Sequence, residues 1–218
     1  MGFLPEVALY YPWLTPLETL YMYGRLAGLD AASTRRQSLE LLEKVGLQGR
    51  ERERLKGFSK GMLQRVGIAQ ALLGSPKLLI LDEVSSGLDP LGRRDLRDLL
   101  LEQKQKGVTI FFSSHELTEV AQLCDRLVLV HRGQVLDQRP VADLLRAVRR
   151  YWVRFRCPGR PPVDAEPVDA AAGLWEAEYR TPEEWQAVLV SLKPPAAELL
   201  DAGEREGALE DYFVRMVS

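Results

Sequence analysis

In residues 77–90, KLLILDEVSSGLDP, an apolar tetrad runs straight into two adjacent carboxylates and then a turn. Leu78 to Leu81 has the length and composition of a central strand covered on both faces, as the strands of parallel sheets are. In such sheets ligands bind beyond the carboxyl ends of the strands, which is where Asp82 and Glu83 fall. Two neighbouring acids at that edge can divide the work, one holding a hydrated Mg²⁺ and the other positioning and deprotonating an attacking water. The plainer alternative is a strand that simply ends in polar residues. Ser86-Gly87-Leu88-Asp89-Pro90 then makes a tight turn, with Asp89 as cap and Pro90 at the first position of the next helix.

On the amino-terminal side, GFSKGMLQRVGIAQALLGSPK (57–77) brackets a Ser-Lys pair with two glycines. Leu63, Val66, Ile68, Ala69, Leu72 and Leu73 give it an apolar helical face that stops at Gly74, with Pro76 beyond. A helix beginning at that turn offers free N–H groups, the Ser59 hydroxyl and the Lys60 ammonium to an anion such as a terminal phosphate. An ordinary Ser cap on a core helix is the other reading. Further upstream, Thr15-Pro16-Leu17-Glu18 combines a cap, a first-turn proline and a Glu three residues after the cap, which predicts a helix over about Pro16 to Leu26. Leu17, Leu20, Tyr21 and Tyr23 are expected in its core face. A second helix is predicted from Ser33 to Val45, with Leu39, Leu41, Leu42 and Val45 at near-helical spacing before Gly46.

On the carboxyl side, Leu96, Leu99 and Leu100 carry a helix towards Gly107. A strand from Val108 to Phe112 then delivers Ser113, Ser114 and His115 to the same sheet edge, where a histidine beside two acids could contact a phosphate. A helix from Glu116 to Leu123 and a hairpin about His131-Arg132-Gly133 follow. The rhythm of strand and helix units, which marks a parallel sheet, fades near residue 140. A boundary is expected between Leu136 and Asp143, dividing residues 1–140 from a smaller α+β module over 141–218. In that module Ala142 to Val148 reads as a helix and Tyr151 to Phe155 as a strand, with Val153 and Phe155 on one face and Arg154 and Arg156 on the other. The segment 158–167, PGRPPVDAEP, reads as a loop, followed by a strand from Leu174 to Tyr179 and a helix from Trp185 to Leu192.

Composition narrows the class. A hydrophobic share of 46% with 28% charged residues is that of an ordinary globular protein, and a net charge of −2 gives no global pull towards nucleic acid. The arginines at 146, 149, 150, 154 and 156, interleaved with Tyr151, Trp152 and Phe155, could form a platform for single-stranded nucleic acid, but a solvated strand face is the better reading, and no nucleic-acid partner is expected. Cys124 and Cys157 are too few for a disulfide framework or a zinc cluster. No apolar run approaches the ~18 residues of a membrane span, so membrane association is expected only through a partner.

Order and spacing together carry a resemblance. FSKGMLQRVGIAQALL resembles the signature motif of ABC-transporter ATPase subunits, LLILDE their Walker B strand with its catalytic Glu, SSGLDP their D-loop, and TIFFSSH the strand ending in the H-loop histidine. MGFLPEVALYYPWLTPLETL is similar to the Q-loop segment and the helix after it. The resemblance covers about residues 1–140 and implies a partial P-loop NTPase fold, α/β, with a mostly parallel sheet and a helical subdomain. It implies ATP and Mg²⁺ as cofactors. Asp82 would help hold Mg²⁺ through water, Glu83 would polarise the hydrolytic water, and His115 would contact the γ-phosphate. Ser59, Lys60 and Gly61 would bind the γ-phosphate of a nucleotide held by a second ATPase subunit, and Asp89 would couple the two sites. A transmembrane permease subunit would be the other partner, with the chain cytoplasmic and peripheral at the inner face of the membrane.

Three departures qualify those roles. The signature reads FSKGM where the widespread form is LSGGQ, so Lys60 adds a charge and Met62 removes an amide, a pattern resembling exporters whose ATPase is a separate chain. Glu6 stands at the Q-loop position, where it could ligate Mg²⁺ or a water but cannot donate a hydrogen bond unless protonated. No G-x-x-x-x-G-K-[ST] loop occurs in the sequence, so the usual cradle for the β- and γ-phosphates is missing. The chain is therefore expected to be the carboxyl-terminal portion of an ABC ATPase subunit, truncated and inactive alone. Two other classes stay open: a soluble ABC-type ATPase of nucleic-acid metabolism, and a non-enzymatic binding or regulatory fragment.

Overall fold

The computed structural model describes residues 1–194, 196–205 and 209–217. The chain divides into two compact units, Met1–Glu119 and Val120–Ser218.

The first unit is organised on a three-stranded parallel sheet in the order β1 (Gly2–Leu4), β2 (Leu78–Leu81), β3 (Thr109–Phe112). Between β1 and β2 run helices α1 (Pro16–Leu26), α2 (Ala31–Lys44) and α3 (Lys60–Leu72), and α4 (Pro90–Gln105) crosses from β2 to β3. Each start is locally encoded. The Thr15 hydroxyl accepts from the Glu18 amide while the Glu18 carboxylate accepts from the Thr15 amide, a reciprocal capping box, and Asp30, Ser59 and Asp89 cap the next three helices with their side chains. Packing of α3 onto the sheet is close. A Cβ at Gly67 would lie 2.4 Å from the Leu4 side chain, so no other residue fits there without movement.

The parallel strands are level. Leu4 pairs with Leu81 and Leu81 with Phe112, so all three strands end on one line. On one face Leu4, Leu79 and Leu81 are buried. On the other, Phe3, Ile80 and Phe111 stand in one row by register, with Phe3 50% and Phe111 63% exposed. Leu78 and Ile80 of β2 are only partly buried, so the expectation that β2 is covered on both faces is not met among the described residues. Tyr21 and Leu39, both expected in helical core faces, are exposed as well.

Helix α5 (Leu117–Leu123) leads into the second unit, whose first element is an antiparallel hairpin, β4 (Arg126–His131) and β5 (Gln134–Pro140). The boundary expected near residue 140 lies inside this unit. The hairpin is held there by the Val141 amide donating to the Asp125 carbonyl, and by the Tyr212 hydroxyl donating to Asp137. Helix α6 (Val141–Val148) precedes a four-stranded antiparallel sheet in the order β7 (Glu166–Asp169), β8 (Leu174–Tyr179), β6 (Arg150–Arg156), β9 (Glu198–Arg205). Helix α7 (Pro182–Ser191) follows β8 in the chain and α8 (Leu209–Val217) follows β9. Val153, Phe155, Cys157, Ala177, Leu192 and Ala197 form the core of this sheet, with Trp185, Val188 and Leu189 packed against it. β7 and β9 were not anticipated, and β7 takes its first two residues from the segment read as a loop. The arginine stripe is a strand face matched by acids: Arg149 pairs with Glu204, Arg154 with Glu176 and Arg156 with Glu198.

Candidate functional site

Because the strands of the first unit end level, every residue that follows them is delivered to one edge. Glu6 stands in an exposed bend just past β1, Asp82 and Glu83 follow β2, and Ser113, Ser114 and His115 follow β3. The Asp82 amide donates to the Leu4 carbonyl at 2.8 Å and the Ser113 amide to the Leu81 carbonyl at 3.0 Å, so the ladder extends one rung beyond each strand. Past that rung the chain turns. Glu83 adopts φ +47°, the left-handed region that costs a residue with a Cβ roughly 1 kcal/mol or more.

That turn brings the carboxylate of Glu83 to His115, with Nδ1 2.7 Å from Oε2. Ionised, a carboxylate only accepts, so the proton lies on Nδ1, and Nε2 can donate to a further anion only when the ring is an imidazolium. Glu83 is largely covered, its side chain 24% exposed, and His115 opens to solvent at 73%. Asp82 receives the Ser113 hydroxyl on Oδ1 at 2.5 Å, and the same hydroxyl accepts the Glu83 amide at 3.0 Å. Ser113 was read only as part of the delivered trio, yet it touches both acids.

Ser59, Lys60 and Gly61 collect elsewhere on the same unit, against the turn that carries Asp89. Ser59 accepts from the Met62 amide at 3.2 Å and caps α3. Lys60 does not extend into solvent: its ammonium donates to Ser86 Oγ at 2.9 Å. A Cβ on Gly61 would sit 2.8 Å from the Gly87 carbonyl, and one on Gly87, which has φ +79°, would meet the Lys60 methylenes at 2.9 Å. Both glycines are therefore required for this contact. Gln64 secures it from inside by donating to the Val84 carbonyl at 2.9 Å. Asp89 accepts from the Gly92 amide at 3.0 Å and lies 4.0 Å from Arg65. The sequence-predicted residues thus fall into two clusters, an acid–histidine cluster at the sheet edge and a helix-end cluster on the turn, joined by the segment from Asp82 to Asp89.

Against known proteins, a sequence model of the family described as ABC transporter matches residues 1–86. An ABC transporter ATP-binding protein of Synechocystis is 36% identical over 221 residues, which is all of this chain and 62% of that protein. A solved ATP-binding subunit of an ABC transporter superposes with a TM-score of 0.61 at 36% identity, over 66% of this chain and 60% of that one. In sequence and in fold the chain is similar to ABC transporter ATP-binding proteins. Among its relatives is the bacitracin transport ATP-binding protein BcrA of Bacillus licheniformis, 40% identical over 152 residues, 69% of this chain and 49% of that protein. A metal-chelate type ABC transporter, at 20% identity and a TM-score of 0.59, shares the fold. The chain spans less than two thirds, 62%, of the length of its Synechocystis relative and about half that of BcrA.

Does the ABC edge fit a metal and a nucleotide? Among the described residues no group of three or more His, Cys, Asp or Glu side chains gathers closely enough to hold a metal ion. Asp82, with Oδ1 engaged by Ser113, offers one oxygen at most. That is too little for a free cation, but it fits Mg²⁺ brought by phosphates, which is usually bound through one or two carboxylates, water and phosphate oxygens.

Proposed function

We propose that this chain is part of the ATP-binding subunit of an ABC transporter and contributes the hydrolytic edge and the signature helix of the ATPase. The observation that carries this reading is the level ending of the three parallel strands, which sets Asp82, Glu83 and His115 on one edge with Glu83 and His115 in contact. In this reading Asp82 would hold Mg²⁺ through water, and Glu83 would orient the attacking water and accept its proton on the carboxylate. His115, released from Glu83 or carrying a second proton, donates to the terminal phosphate. Bound ATP and Mg²⁺ supply the phosphoanhydride and the charge that neutralises it. Ser59, Lys60 and Gly61 would bind the nucleotide of a second ATPase subunit, Asp89 would link the two sites, and Glu6 would contact the metal or its water.

The permease partner is assigned to the surface between β1 and α1. Val7 and Leu9 are exposed there, Tyr11 and Trp13 stack at 5.2 Å, and Tyr21 of α1 is exposed too. No helix among the described residues is long and apolar enough to cross a membrane, so attachment runs through this surface, at the cytoplasmic face.

The row of Phe3, Ile80 and Phe111 supports the companion proposal that this polypeptide is a portion of the ATPase domain, the rest of which covers that face and brings the phosphate cradle. Purified alone, the chain is expected to show no saturable Mg·ATP binding below the millimolar range and no hydrolysis. Tight, Mg²⁺-dependent binding would overturn the portion reading. Failure of a permease encoded beside it to co-purify with it, together with salt-sensitive RNA or DNA binding, would overturn the transporter reading.

A further inference from the structure

We propose that Ser113 is the positioning residue of the edge, a single hydroxyl that sets both acids at once. The proposal rests on the functional reading above for what the acids do, and on geometry alone for how they are held. Register puts Ser113 one residue past Phe112, level with Asp82, and its amide is fixed by the Leu81 carbonyl at 3.0 Å. Its Oγ then lies between two partners of opposite character. The Glu83 amide can only donate and an ionised Asp82 can only accept, so the one hydroxyl proton has a single consistent place, on the line to Asp82 Oδ1.

Two consequences follow from that polarity. With Oδ1 engaged by Ser113, Oδ2 is the oxygen of Asp82 that would take a metal-bound water. Glu83 is held by its amide at φ +47°, with its carbonyl taken by the Ser86 amide at 2.9 Å, and that backbone posture swings its carboxylate onto His115. Ser113 and His115 thus approach Glu83 from the same strand end, one through the backbone and one through the side chain. The neighbouring Ser114 is employed differently. Its hydroxyl accepts from the Glu116 amide at 3.0 Å and reaches Glu119 at 3.3 Å, so it serves the start of α5 and provides an internal control.

The test uses the full chain labelled with ¹⁵N and reads amide exchange at Glu83 and the ring nitrogen signals of His115. Ser113→Ala is expected to speed exchange of the Glu83 amide about tenfold and to move the His115 ring signals, while the Leu79 and Ile110 amides stay protected. Ser113→Thr, which keeps the hydroxyl, is expected to restore both, and Ser114→Ala to change neither. Unchanged Glu83 and His115 signals in Ser113→Ala would overturn the proposal, as would a Thr variant no better than Ala. Should the Ala variant not fold, Ser113→Cys keeps the shape with a weaker donor, and an unaltered Glu83 amide there overturns the proposal equally. None of these readouts needs nucleotide, so the nucleotide reading and this one fail separately.

Discussion

The parallel sheet of the first unit leaves Phe3 and Phe111 half-exposed or more in one row, whereas the antiparallel sheet of the second buries Val153 and Phe155 completely. The difference is one of layers. A parallel sheet needs cover on both faces, and here one face has it. An antiparallel sheet can leave one face to water, and the second unit does so with a lattice of charge: Arg154 and Arg205 both pair with Glu176, and both lie over the Trp152 ring. The first unit leaves one face of its sheet open, whereas the second closes its own core.

The largest effect that would break this comparison is expected at Phe155. Phe155→Ala should cost the second unit about 3–5 kcal/mol, read as a fall in its thermal transition, while Phe111→Ala should shift unfolding by less than about 1 kcal/mol. Equal costs would mean that the open row is packed in solution. Next come the caps: Asp89→Ala should destabilise α4 by about 1 kcal/mol in urea titration, with Thr181→Ala, which unseats the cap of α7, close to it.

A third difference is pH-dependent. Burial pushes the Glu176 carboxyl up, but its hydrogen bonds to Arg205 and Arg154 outweigh that and hold it below the usual range. A carboxyl whose folded pKa is depressed contributes its stability above the unfolded value of about 4.3 and loses it as pH falls through the folded one. Acid titration of the second unit should therefore show a loss below about pH 4.3, and Glu176→Gln should remove that part of it. Smallest is the exposed pair Lys44–Glu102 at 3.0 Å, where Lys44→Met should cost at most about 1 kcal/mol and nothing in high salt.

How much of this was legible depends on where the information sits. Helix α1 and strands β2 and β8 fall where caps, a first-turn proline or a short apolar run announce them, and Asp82, Glu83 and His115 are found because strand ends are local features. β9 reads ELLDAGER, with no alternation and a glycine, and becomes a strand only by pairing with β6, where a Cβ at residue 203 would sit 3.2 Å from the Trp152 ring. Ser113 was visible but its double contact was not, since it depends on the register of two strands about thirty residues apart. The grip of Lys60 on Ser86 is likewise a product of packing, and no spacing rule foretells it.

Tyr10 offers a way to watch the first unit from outside. Its hydroxyl donates to Gln70 of α3 at 2.9 Å, and burial, helped by Tyr23, drives its ionisation far above that of an ordinary phenol. In an alkaline absorbance titration Tyr10 should therefore be the last of the tyrosines to ionise, after the exposed rings and after Tyr179 and Tyr212, which are also shifted upward. Its ionisation would report the moment when the segment behind Glu6 peels away from α3, an optical alarm already wired into the chain.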